Sequence, residues 1–175
     1  NKYQFIKLIE SKENKGKGHA LKLGINVASK KYIGVLDADL EYSPCDLKKL
    51  FVDIGLSEED IACGSRFIGD FKRENIYLRT YFANKFLSKL FSIVHKQKVT
   101  DIATCLKVFR TDILQSIELK EKGFSIEVEL LAKTLAKSNK YFEIPISYSA
   151  RSYEDGKKIK FIDGFRYIYS ILKFK

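Results

Sequence analysis

Two rhythms of apolar and polar positions alternate along this chain. Residues 3–10 (YQFIKLIE) carry the β-branched and aromatic content of a strand. Asn14-Lys15-Gly16-Lys17-Gly18 reads as a turn, after which Ala20, Leu21, Ile25 and Ala28 recur at helical spacing through residue 29. Residues 31–37 (KYIGVLD) form an apolar run that closes on acidic turn chemistry, as a buried strand does. Ser43 followed by Pro44 is an N-cap with proline at the first helical position, so a helix is expected over about 44–54. Residues 60–66 (DIACGSR) read as the next strand.

A long amphipathic helix is expected over about 74–97, then an irregular piece from Val99 to Thr104. A short strand at 105–109 leads into a helix begun by Thr111, and a further helix over about 125–137 takes Ser125 as its N-cap. Residues 141–149 (YFEIPISYS) read as a strand with Pro145 marking an edge or a bulge. The tail turns at Asp155-Gly156 and ends in a basic amphipathic segment, 158–175. Strands alternating with helices imply βαβ units and a mostly parallel α/β sheet. The whole of 1–175 is expected to be one domain. Its start in mid-architecture, at Asn1, suggests that an N-terminal βαβ portion precedes it.

Composition narrows the partners. Hydrophobic residues at 45% suffice for a packed core, and no apolar run approaches the roughly 20 residues of a membrane-spanning helix. The N-terminus lacks a secretion-signal pattern, which gives a cytoplasmic expectation. Cys45, Cys63 and Cys105 lie far apart, with no CxxC pair and two histidines, which argues against a zinc site or a disulfide framework. The formal net charge of +10 points to an anionic partner (nucleic acid, a phospholipid surface or a phosphorylated substrate) or to a lysine-rich solvated face.

Asp37-Ala38-Asp39 is the sharpest chemical signal. On an extended segment, residues i and i+2 point the same way. Two such carboxylates make a hard oxygen pincer suited to Mg²⁺ or Mn²⁺, placed where ligands of α/β sheets bind. Glu41 adds a third oxygen or a supporting contact; the alternative is an acidic turn that caps the next helix. Gly16-Lys17-Gly18 opens a helix whose N–H groups suit a diphosphate, or is a plain tight turn. Arg66, in Gly64-Ser65-Arg66, and Arg79 on the following helix offer planar forks for phosphate. Arg151 with Lys157 and Lys158 forms a second basic cluster.

Read together, NKGKGHAL (14–21), VLDADLEYSP (35–44), GSRF (64–67), VTDIATCLKVFR (99–110), GFSIEVE (123–129) and EIPISYSARSYEDGKKI (143–159) resemble the family-two inverting glycosyltransferases. The likeness is to the group of dolichyl-phosphate mannose synthase and its bacterial polyprenyl-phosphate relatives. It implies a GT-A fold, a nucleotide-diphosphate-sugar donor, Mg²⁺ or Mn²⁺, and a polyprenyl-phosphate acceptor. It further implies that Asp37, Asp39 and Glu41 surround the metal and that Ser65, Arg66 and Arg79 hold the acceptor phosphate. Lys17, Gly18, Arg151 and Lys157 would contact the donor diphosphate. Asp101 and Glu127 match carboxylates that join Asp39 in the catalytic set. The family's first strand, and the aspartates of its second that hold base and ribose, have no counterpart here. Thr104-Cys105-Leu106-Lys107 replaces the commoner Ser-Gly-Phe-Arg.

The implied reaction is one in-line displacement at the anomeric carbon. A phosphate monoester is largely dianionic at neutral pH, its second pKa being about 6, and needs cations to place it more than a base to activate it. An acceptor that lives in a bilayer requires a membrane-facing surface. The segments 74–97 and 158–175 mix basic residues with aromatic and aliphatic ones, the composition of interfacial helices, or of helices that pack one face on the core. The expectation is therefore a peripheral protein on an anionic, cytoplasmic membrane face, with no nucleic-acid partner. The rival readings are a basic nucleic-acid-binding module, for which no motif is present, and a non-catalytic interaction fragment.

Overall fold

A computed structural model describes residues 5–69, 73–74, 77–151 and 161–175. The chain forms helix α1 (Lys17–Val27), strand β1 (Tyr32–Val35), helix α2 (Pro44–Leu56) and strand β2 (Ile61–Ser65). A two-residue strand β3 (Arg73–Glu74), helix α3 (Leu78–His95), strand β4 (Lys107–Arg110) and short helix α4 (Thr111–Gln115) follow. Helix α5 (Ile126–Leu135), strands β5 (Tyr141–Pro145) and β6 (Tyr148–Ser149), and helix α6 (Phe161–Lys173) complete it.

The main sheet has the order β1-β4-β2-β5. β2 and β5 pair in parallel, while β4 is antiparallel to both β1 and β2. β1, β2 and β5 thus share one direction and β4 is inserted against it, giving a mixed sheet in which one of the three pairings is parallel and two are antiparallel, where the alternation of elements alone predicts a mostly parallel one. The carboxyl ends of the three parallel strands consequently lie along one edge, with the start of β4 between them: Val35 and Cys63 both register with Lys107, and Ser65 with Pro145.

Strand alternation divides the core between the two faces of this sheet. On one side Val35, Ile61, Cys63 and Phe109 pack with Phe91 of α3, Ile126 and Leu130 of α5, and Tyr167 and Ile171 of α6. On the other, Ala62 and Val108 pack with Leu50 and Ile54 of α2 and with Ile146 and Tyr148. β2 is buried along its whole length, as a central strand covered on both faces must be.

Several local expectations hold with a physical cause. Ser43 Oγ accepts the Cys45 N–H at 3.2 Å, capping α2 behind Pro44. Pro145 ends β5 on the sheet edge, where its missing N–H costs no ladder bond. Three expectations change. The strand expected over 3–10 is absent across 5–10, where Phe5 and Leu8 are 85% and 75% exposed; without a neighbouring strand, propensity alone closes no ladder. The long helix starts at Leu78, because Arg73–Glu74 pair with Tyr148–Ser149 instead. Ser125 precedes α5 but does not cap it: its backbone is already helical and its hydroxyl donates to Glu121 Oε2 at 2.8 Å. The turn expected at Asp155-Gly156 lies outside the described residues.

Candidate active site

The Asp37-Ala38-Asp39 loop follows β1 at the carboxyl edge of the sheet. It is not extended. β1 stops at Val35, a turn covers Ala38 and Asp39, and Leu40 takes a left-handed conformation with φ 64°. A γ-branched side chain rarely adopts that region, and such strain gathers at functional loops. The turn is held by Asp39 Oδ1, which accepts the Glu41 N–H at 3.2 Å. Strand alternation therefore does not orient the two aspartates; the turn does.

Each aspartate meets a different cation. Lys17 Nζ lies 2.7 Å from Asp37 Oδ2, and Arg151 Nη2 lies 2.8 Å from Asp39 Oδ2. Arg151 also reaches Glu41 Oε1 through Nε at 3.2 Å, and its backbone N–H donates to the same oxygen at 3.1 Å. The other Glu41 oxygen accepts the Tyr148 hydroxyl at 2.9 Å. The loop after β1 is thereby tied to the segment after β6. Among the described residues, no three His, Cys, Asp or Glu side chains converge as a ready-made metal cage.

Behind Asp37 the charges alternate into the core. Lys17 also pairs with Glu127 Oε1 at 2.7 Å, and Glu127 Oε2 pairs with Lys107 Nζ at 2.6 Å. Lys107 is fully buried and donates to the carbonyls of Ile102 and Thr104. Burial works against the Lys17 ammonium, but the carboxylates of Glu127 and Asp37 outweigh it and hold its pKa above the ordinary lysine value. Burial likewise opposes ionisation of Glu127, yet Lys107 and Lys17 hold its carboxyl below the usual range. Burial pushes the neighbouring Cys105 thiol up to about 12, so it stays protonated beside Asp37.

Gly18 has a different task from the one expected of it. Its N–H donates to the Lys122 carbonyl at 2.9 Å and so is not free for a diphosphate. A Cβ at Gly18 would stand 2.1 Å from the Glu121 carbonyl oxygen, and one at Gly16 would stand 2.4 Å from that of Lys122. The glycines let the loop before α5 press onto the start of α1, which aims Lys17 at Asp37. Glu129 fixes that loop from below by accepting the N–H groups of Lys120 and Glu121.

At the end of β2, Arg66 makes a two-pronged pair with fully buried Asp101, Nε to Oδ2 at 2.6 Å and Nη2 to Oδ1 at 2.7 Å. Burial opposes the guanidinium charge, and Asp101 more than restores it, so Arg66 stays ionised. Glu143 holds the Thr100 and Asp101 N–H groups, and the Ser65 and Thr100 hydroxyls meet at 2.6 Å. Arg66 lines a cleft with Phe67, Tyr148 and Ala150 on one side and Tyr77, Thr80, Tyr81 and Asn84 on the other. The latter four are spaced as one face of α3 and its cap. Arg79 is exposed in the first turn of α3 and is not among the lining residues. Lys157 lies outside the described residues.

Sequence reasoning gave no role to Lys107, Glu143, Thr100 or Tyr148. A signal existed for the first: by strand alternation Lys107 shares a face with Phe109, and a lysine on a core face needs a buried partner.

A family model described as glycosyl transferase family 2 matches residues 1–118. The chain is 32% identical to a dolichol-phosphate mannosyltransferase of Pyrococcus furiosus, an alignment covering 97% of this chain and 49% of that protein. It is 27% identical to the low-salt glycan biosynthesis hexosyltransferase Agl6 of Haloferax volcanii, over 91% of this chain and 39% of the relative. The chain thus spans about half, or less, of the length of the curated relatives it matches. Among solved structures it resembles glucosyl-3-phosphoglycerate synthase from Mycobacterium tuberculosis in complex with Mn²⁺, UDP-glucose and glycerol 3-phosphate. The TM-score is 0.67 at 15% identity, over 91% of this chain and 55% of that one. That likeness concerns the fold, a GT-A-like mixed sheet flanked by helices.

Proposed function

The chain belongs to glycosyl transferase family 2, and from that premise we propose that it serves the metal-dependent, inverting transfer of a sugar from a nucleotide-diphosphate-sugar to a polyprenyl phosphate. The observation that carries this reading is the strained acidic loop at the sheet's carboxyl edge, with Lys17 and Arg151 on its aspartates. The donor set fits a hard divalent cation. Asp37 and Asp39 are carboxylates with side chains 34% and 20% exposed, and Mg²⁺ or Mn²⁺ is commonly held by one or two carboxylates with phosphate oxygens completing the shell. Bound there, the cation would stabilise the departing diphosphate as a Lewis acid. Lys17, Arg151 and Lys157 supply positive charge for the same diphosphate, and Glu41 orients Arg151.

Arg66, with Ser65 beside it, is the acceptor-phosphate residue. Asp101 locks its fork in place, and a guanidinium has five N–H donors, so two prongs on Asp101 leave others for phosphate. Arg79 at the start of α3 adds charge nearby. No histidine is among the residues lining this cleft, which suits a dianionic nucleophile that needs placement rather than deprotonation.

A membrane source for the acceptor is supported by the surface of α3 and α6. Phe91, Tyr167 and Ile171 go into the core. Leu78, Phe82, Phe86 and Ile93 of α3, with Phe165, Tyr169 and Leu172 of α6, are all more than half exposed. Arg79, Lys85, Lys89, Arg166 and Lys173 stand among them, each worth roughly 1 kcal/mol near an anionic surface. No helix among the described residues is long and apolar enough to cross a membrane; the association proposed for this surface is a peripheral one, on the cytoplasmic face. The deciding experiment incubates the chain with Mn²⁺, a panel of labelled nucleotide-diphosphate-sugars and anionic vesicles carrying polyprenyl phosphate. Label entering the lipid phase from one donor, only with divalent cation, is expected. Label passing only to a soluble phosphate such as glycerol 3-phosphate, or no transfer from any donor, would overturn the acceptor assignment.

A further inference from the structure

Lys17 holds one oxygen of Asp37 and Arg151 one oxygen of Asp39, the two carboxylates that a divalent cation would need. We propose that Lys17 and Arg151 are built-in counter-ions, which keep Asp37 and Asp39 closed to a divalent cation arriving alone and make its uptake depend on the diphosphate. This rests on the metal reading above. Both pairs can open without stranding a charge. If Lys17 leaves Asp37 it keeps Glu127 at 2.7 Å, and Glu127 in turn keeps Lys107. If Arg151 leaves Asp39 it keeps Glu41, and its side chain is 37% exposed, so water reaches it. The Arg66–Asp101 pair, almost wholly buried on both sides, has no such alternative partner among the described ion pairs.

The charge count gives the same answer. Carboxylates Asp37, Asp39, Glu41 and Glu127 face cations Lys17, Lys107 and Arg151, four against three. A divalent cation added alone turns a nearly neutral cluster positive while two cations already occupy its oxygens. A diphosphate added with it restores the balance and gives Lys17 and Arg151 a new anion to hold. Because coupling is reciprocal, each ligand tightens the other by the same factor.

The test is Mn²⁺ binding followed by the paramagnetic resonance signal of the free ion, which needs no turnover. Wild type should bind Mn²⁺ weakly alone and more tightly with UDP or GDP present. Lys17→Met and Arg151→Gln should each bind Mn²⁺ alone about tenfold more tightly than wild type. Adding Asp39→Asn to either should abolish the gain. Arg151→Gln alters a half-exposed side chain and decides the matter if Lys17→Met does not fold. No gain in either folded variant overturns the counter-ion role while leaving the metal site standing. No Mn²⁺ binding by any form, with or without nucleotide, overturns the metal site and this inference together.

Discussion

The ends of β1 and β2 lie on the same edge of one sheet, and each presents a carboxylate paired with an arginine or a lysine. Their settings differ. At the β1 end Asp37 and Asp39 stay partly exposed, and their cations have second partners. At the β2 end Asp101 is fully buried, Arg66 nearly so, and the two make two parallel bonds to each other. A pair open to water gains little from its Coulomb attraction and can be exchanged cheaply. A pair shut from water is costly to break, because either half left alone is an unsatisfied charge. The first arrangement suits ligands that come and go; the second suits a fixed wall of the cleft that Arg66 lines.

Breaking the buried side should give the largest effect. Asp101→Ala strands the Arg66 guanidinium and leaves the Arg66 backbone N–H without its acceptor, so denaturant unfolding should show a loss of about 3–5 kcal/mol. A loss below about 1 kcal/mol would mean that the pair relaxes into water and that the contrast is false. Glu127→Gln is next, since it leaves buried Lys107 facing a neutral group; a loss of about 3 kcal/mol is expected. This site also carries a pH signature. The folded Glu127 carboxyl titrates below its ordinary value of 4.5, so its contribution is complete above that pH and fades as pH falls through the lower folded value. Acid unfolding of wild type should therefore steepen below about pH 4.5, and Glu127→Gln should flatten it.

A smaller effect is expected at His95, which stacks on Phe91 at 4.1 Å and meets the Ile171 carbonyl through Nε2 at 3.2 Å, joining α3 to α6. Burial holds its pKa below the ordinary 6.5, only partly offset by that hydrogen bond. The unfolded chain thus binds more protons near that pH, and stability rises from about pH 5 to about pH 7. His95→Gln should reduce that rise in paired denaturation curves.

Much of this was legible in the sequence, for identifiable reasons. Ser43-Pro44 set the start of α2, and the apolar runs at 31–37 and 60–66 set two strands, β1 at the edge of the sheet and the fully buried β2 inside it, because capping chemistry and strand patterning act locally. Asp37, Asp39, Arg66, Asp101 and Glu127 were singled out from short segments quoted in register. Pairing was not legible. Nothing in the sequence states that Asp101 closes on Arg66, or that Glu127 bridges Lys17 and Lys107, since those contacts join positions 35, 110 and 20 apart. The segment 5–10 shows the same gap from the other side: its residues favour a strand, but a strand is a relation between two segments. The sequence leaves Gly18 between a phosphate cradle and a plain tight turn, because the close approach of Glu121 and Lys122 that decides between them is a tertiary fact.

The comparison between the two ends meets at Asp39, which should be dispensable for the fold and required for the chemistry. Denaturant unfolding and sugar transfer to polyprenyl phosphate should be measured on one preparation of Asp39→Asn beside wild type. The account predicts stability within about 1 kcal/mol of wild type and transfer lost at every Mn²⁺ concentration tried. Transfer at the wild-type rate by the folded variant would contradict it.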